Sequence, residues 1–215
     1  MSKLDILKER FLRYAAISTQ SDASAVTVPS TEGQTKLAHL LESELKALGL
    51  SDVFVDEHSI VYATLEANAK GPTLGFVSHL DTVNVSLSPV VKPQIIKYEG
   101  GDVVLNEELG IKIKFSEHPE LELYEGEEII FSDGTSVLGA DNKAAMANIM
   151  TMLDILSHDP SIKHPKICVA FVPDEEIGLK GSKLMDLERF KVDFAYTIDS
   201  CSLGEIVYQT FNAGS

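Results

Sequence analysis

Six residues of this chain have types and placements that could do chemistry together: His79, Asp81, Asp141, Glu175, Glu176 and Asp199. His79 and Asp81 lie two apart in an extended stretch, so their side chains lean the same way. A carboxylate that accepts the free ring N–H is the usual companion of a metal-bound imidazole; alone, a histidine there is an ordinary hydrogen-bonded residue. Glu175 and Glu176 follow Asp174 directly after an apolar run. By itself that is a solvated acidic turn, but three such carboxylates repel one another unless a cation or hydrogen bonds compensate. Adjacent glutamates also project differently, so one can bind a metal while the other faces water. Asp141 stands where a helix opens, a position that suits a cap on free backbone N–H groups. Asp199 alone is a plain strand-end aspartate. Collected at one place, one imidazole and five carboxylates would form a site for two divalent metals. The mixed ligand set suits zinc, with manganese or cobalt as substitutes.

Collecting them is the task of the surrounding elements. Leu4, Leu7, Phe11 and Leu12 repeat at helical spacing over residues 3–16. Thr31 and Gln34 have capping-box spacing ahead of Leu37, Leu40, Leu41, Leu45 and Leu48, and Gly49 suits a left-handed stop. Strand patterns occupy 53–55, 60–65 and 73–78, the last ending in His79. Residues 84–137 read as an extended excursion with hairpins, strand-like at 103–105, 111–115 and 129–131. Met146, Ile149, Met150 and Leu153 mark a helix after Asp141. A buried-type strand over 167–172 runs into the acidic turn, a short helix is predicted near 181–190, and strands follow at 194–198 and 206–211. Alternating strands and helices predict an α/β fold, a mostly parallel mixed sheet flanked by helices. In such a sheet ligands bind beyond the carboxyl ends of the strands. That places all six residues on one rim.

Composition sets outer bounds. The 215 residues, 44% of them hydrophobic, allow a sizeable core. A net charge of −15 argues against nucleic acid and anionic membrane surfaces as partners. Two cysteines, Cys168 and Cys201, form no disulfide framework, and no apolar run approaches a membrane span. With no signal-peptide pattern at the N-terminus, a cytoplasmic location is expected. Cys201 has no histidine placed to activate it and reads as a bystander thiol. His39, His58, His118, His158 and His164 fall in a helix or in polar loops, and the H-E-x-x-H pattern is absent.

The ordered motifs Ser78-His79-Leu80-Asp81-Thr82, Gly139-Ala140-Asp141, Asp174-Glu175-Glu176-Ile177-Gly178 and Asp199 resemble those of the co-catalytic zinc metallopeptidases, a family that includes carboxypeptidase G and aminoacylases. Pro29-Ser30-Thr31-Glu32-Gly33-Gln34, Lys92-Pro93-Gln94-Ile95 and Phe211-Asn212-Ala213 are similar to its tripeptide aminopeptidase branch, peptidase T. The resemblance implies a zinc-peptidase-like catalytic domain, with 1–207 its N-terminal part and 208–215 the truncated start of a lid or dimerisation domain. It also implies release of the N-terminal residue from tripeptides through a water activated by two zinc ions. His79 and Asp199 would hold one zinc and Glu176 the other, with Asp141 bridging. Asp81 would orient His79, and Glu175 would be the general base. Family members are about twice this length; their second half brings a homodimer-forming lid, a substrate-binding arginine and a last histidine ligand. Asn142 stands where an aspartate is frequent and Ser200 where a glycine is common. The expectation is an incomplete, inactive portion of such an enzyme. The competing expectations are an amidohydrolase of the same family acting on N-acyl amino acids, and a non-catalytic metal- or peptide-binding fragment.

Overall fold

The computed structural model describes residues 2–199 together with 204, 206 and 207. Residues 208–211 of the strand expected at 206–211, the thiol of Cys201, Ser200 and the segment 208–215 therefore lie outside the described residues.

Three helices form as the periodicity predicts. Helix α1, Lys3–Ala15, starts at Ser2, whose hydroxyl accepts from Asp5 N–H while the Asp5 carboxylate accepts from Ser2 N–H, a reciprocal cap. Helix α2, Glu32–Ala47, ends as Gly49 suggests. Gly49 has φ +78°, its N–H donates to Lys46 O, and Leu50 N–H reaches back to Leu45 O. The capping box expected at its start is absent. Thr31 makes no side-chain cap, and Gln34 is drawn inward to other partners. Helix α3, Ala140–His158, contains two non-helical residues at its mouth, Asp141 and Asn142.

Strands β1 (Ser51–Val55), β2 (Val61–Leu65), β3 (Leu74–His79), β8 (Ile167–Val172) and β9 (Phe194–Thr197) make the main sheet, in the order β1-β2-β8-β3-β9. The parallel part is β8-β3-β9, and β2 joins it antiparallel to β8. Alternation along β8 separates two cores. Ile167, Val169 and Phe171 face the three helices, with Leu37, Leu41, Met146 and Met150. Cys168, Ala170 and Val172 face the other way, against Tyr62, Phe190 and Val192. That second face is covered by the 185–192 segment, where a helix was expected. Only a single 3-10 turn, Ser182–Leu184, forms there. Asp186 explains the difference, because its carboxylate takes the N–H groups of Glu188 and Arg189 in a local turn.

The excursion is an antiparallel ribbon, β4 (Pro93–Lys97) with β7 (Glu128–Ser132), topped by the hairpin β5 (Val103–Asn106) and β6 (Ile111–Ile113). Tyr98, Val103 and Leu121 form its own small core. The ribbon leaves just after Asp81 and returns just before Asp141. Its neck is closed: Ser88 N–H bonds Thr135 O, and Asp133 N–H bonds Lys92 O.

A polar network ties the helices together over the core. Arg10 of α1 donates to Thr151 and pairs with Asp154 of α3, while Tyr14 Oη–H donates to Glu44 of α2 at 2.6 Å.

Candidate metal centre

The parallel register brings the sequence-distant residues to one rim. His79 stands opposite Val172, so the acidic turn begins two residues beyond that pair, at Asp174. Ile198 N–H extends the β3–β9 ladder by bonding Val77 O, which places Asp199 beside the same edge. Helix α3 delivers Asp141 from above.

His79 is the centre of the arrangement and is 2% exposed. Its Nε2 lies 2.9 Å from Asp141 Oδ1 and 4.0 Å from Asp199 Oδ1. Its Nδ1 lies 3.0 Å from the backbone oxygen of Asp81 and 3.4 Å from that residue's Oδ1. The shorter contact is the hydrogen bond, and the carboxylate adds charge beside it. Asp81 is fully buried, and its two oxygens accept the N–H groups of Glu175 (2.8 Å) and Glu176 (3.1 Å). One carboxylate thus faces the imidazole and also holds the turn that carries both glutamates.

Two overlapping ligand groups result. His79, Glu175 and Asp199 form one, and His79, Asp141 and Glu176 the other; in each, the donor atoms lie within 4.8 Å of one another. His79 is the member common to both. The five expected carboxylates are all here, with each glutamate assigned to a different side. His39, His118 and His158 bond neighbours on the surface, and His164 bonds the Pro165 carbonyl, so these histidines are engaged elsewhere.

Asp141 does not cap its helix. Gly139 takes the N-cap position in a left-handed conformation, no side-chain cap bond is made, and the Asp141 carboxylate turns to His79. Its backbone departs from the helix, with φ −83° and ψ 105°, and the next peptide bond is cis.

The electrostatics favour cations. Burial opposes charge on His79, but the Asp81 carboxylate beside Nδ1 and the charges of Asp199 and Asp141 outweigh it and raise the imidazole to about 9. Glu175, Glu176 and Asp199 are all pushed up, first by burial and then by neighbouring carboxylates. Asp81 is the exception: burial pushes it up, yet His79 and the two amides hold it low. A set of carboxylates that resist ionisation beside a single imidazole matches the donor chemistry of a divalent-cation site.

Three supporting residues escaped the sequence reading. Asn142 is buried and donates from Nδ2 to Ile198 O at 2.9 Å, joining the segments that carry Asp141 and Asp199. Lys143 is buried with its Nζ on Ile17 O at 2.6 Å, and burial lowers it to about 8. Asp174 is fully buried and bonded by Ser30 and Gln34. The departure at position 142 was a visible sign for Asn142, since an amide donates to a carbonyl where a carboxylate cannot. Asp174 stood out only as part of the acidic run, with no sign of its buried partners, and nothing local marked Lys143.

Comparison with known proteins agrees with this reading of the fold. No protein-family model matches the sequence. In structure, the chain is similar to a tripeptidase of Staphylococcus aureus, with TM-score 0.66 and 27% identity over 94% of this chain and 44% of that one. The fold is thus that of a peptidase catalytic domain, the α/β class that the motifs imply. In sequence, the chain is 57% identical to a peptidase T-like protein of Yersinia pestis, over 97% of its own length and 51% of the relative. It is 49% identical to peptidase T of Geobacillus kaustophilus, over 96% and 51% respectively. The chain is therefore a homologue of peptidase T, as its motifs suggested, and spans about half the length of the curated relatives it matches.

Proposed function

We propose that these residues belong to a metallo-aminopeptidase that releases the N-terminal residue from tripeptides, with two zinc ions as cofactors. The observation that carries this reading is the pair of ligand groups sharing His79, in a chain homologous to peptidase T. In this reading His79 and Asp199 would hold one ion and Glu176 the other, with Asp141 shared between them. Zinc in such a site supplies a Lewis acid for the scissile carbonyl and lowers the pKa of water.

The protein's own groups then do the proton work. Glu175, whose carboxyl is pushed up by burial, is suited to take a proton from water and hand it to the departing amine. Asp81 keeps the His79 ring oriented so that Nε2 faces the site. The residues named as catalytic are thus Asp81, which acts through His79, and Glu175. We further propose that 1–207 is the N-terminal part of the catalytic domain, and that the 215-residue chain alone lacks turnover. Among the described residues the group around Glu176 has no imidazole besides His79, which the other group also uses.

The test is a substrate panel on a zinc-loaded protein that carries this sequence at its relatives' full length. Release of N-terminal residues from tripeptides, abolished by Glu175→Ala, is the expected outcome. A preference for N-acyl amino acids would make it an amidohydrolase, and no hydrolysis of either would refute the reading. On the 215-residue chain, calorimetric titration with zinc should show the tighter ion lost in His79→Ala and the weaker one in Glu176→Ala. Equal losses would contradict the assignment.

A further inference from the structure

Asp174 opens the acidic turn but is turned away from it. It lies fully buried with φ +55°, in the left-handed region. Its carboxylate accepts from Ser30 N–H at 2.7 Å, Ser30 Oγ–H at 2.5 Å and Gln34 Nε2–H at 2.7 Å. In return its backbone N–H donates to Gln34 Oε1 at 3.0 Å. Its carbonyl accepts from Lys180 N–H, and Pro173 O accepts from Gly181 N–H. The next two N–H groups go to Asp81. The turn that carries Glu175 and Glu176 is therefore anchored at two buried carboxylates. Asp81 holds it from just beyond β3, and Asp174 ties it to Gln34 in the first turn of α2.

Gln34 is fully buried and 140 residues away from Asp174 in sequence. A primary amide of this reach can donate to the carboxylate and accept from the N–H at once. A glutamate of the same size would set carboxylate against carboxylate, and a leucine would leave the buried Asp174 N–H without its partner. Gln34 also reaches Ser30 Oγ and Thr31 Oγ1, each at 3.2 Å, so it organises the loop as well as the turn.

We propose that Gln34 is a positioning residue for the two glutamates: through its reciprocal pair with Asp174 it sets where Glu175 and Glu176 stand, and so the hold on a divalent cation. The cation half of this statement rests on the metal reading above; the positioning half does not.

The experiment uses the 215-residue chain, Gln34→Leu and Gln34→Glu, with two readouts. Amide hydrogen exchange in the cation-free chain follows Asp174, Glu175 and Glu176 against Leu41 and Leu45 in the α2 core. Zinc titration follows affinity. Expected are exchange faster by on the order of tenfold at the three turn amides, with the α2 core amides unchanged. Zinc on the Glu176 side should weaken by roughly 10- to 100-fold, as for other residues that orient a ligand. Wild-type exchange at the turn in both variants would overturn the proposal. So would equal loosening of α2 and the turn, which marks a purely structural role. If the unaltered chain bound no zinc, the metal reading would fall, and exchange at the turn would still decide the positioning role.

Discussion

His79 has two suitors, a proton and a cation, and pH decides between them. In the cation-free chain its imidazole is raised from 6.5 to about 9, so folding favours the protonated form. That contribution is complete below 6.5 and is lost as pH rises through about 9. The raised carboxyls of Glu175, Glu176 and Asp199 act with the same sign, since a protonated acid is favoured in the fold. The melting temperature in a chelator should therefore fall between pH 6.5 and 9. Zinc needs a neutral imidazole and ionised carboxylates, so its stabilisation should grow over the same interval. Thermal unfolding with chelator or zinc, across that range, reads both trends. A flat chelator profile, or one unaltered in His79→Ala, would contradict the assignment. The six residues themselves were legible in the sequence because each follows an apolar run that had to be a strand or opens a helix. Their helpers were not. Asn142 bonds Ile198 across 56 positions and Gln34 bonds Asp174 across 140, so only folding brings these partners together.

At the level of elements, periodicity located the helices and the main strands, and close packing decided the details. Gly33 shows the limit. It lies in the first turn of α2, and its spacing gave no hint that the chain crosses it. A Cβ there would stand 1.7 Å from the Ser18 carbonyl oxygen. In an open helix Gly→Ala stabilises by about 1 kcal/mol; here backbone meets side chain and the sign reverses. Gly33→Ala should cost about 3 kcal/mol or more, the upper end for overpacking, measured as a lower denaturant midpoint. The loop it displaces carries Ser30, so zinc affinity should fall with stability; a stabilised Gly33→Ala would show that the loop does not press on α2. Strand β4 was hidden for a different reason. Pro93 opens it and Gln94 bonds two carbonyls by its side chain, so neither length nor alternation marked it. The Thr31–Gln34 spacing misled because the same residue type that closes a capping box was required by Asp174.

On the scale of the molecule, the three helices lie against one face of the sheet and the ligands gather at the parallel strand ends. Among the described residues no helix is long and apolar enough to cross a membrane. Part of the chain's excess of acid is gathered here, since the two candidate ligand groups contain four carboxylates and Asp81 lies beside them. The ribbon contributes none of the ligands, yet it divides them, with His79 and Asp81 before it and Asp141 after. Its neck closes where Thr82 passes within 3.1 Å of the position a Cβ on Gly139 would take. A segment that departs and returns at one point behaves as an insert. Residues 84–137 should be replaceable by a short linker without moving the ligands apart, because closing so small a gap costs little chain entropy. Zinc titration of the shortened chain should match the intact one within about threefold, well inside the change expected from losing a ligand-orienting contact. A larger loss would mean that the ribbon braces the site. In evolutionary terms, the candidate metal centre and the ribbon are then separable inheritances: lineages could lengthen, trim or exchange the arm while the clustered His79 and carboxylates stayed in place.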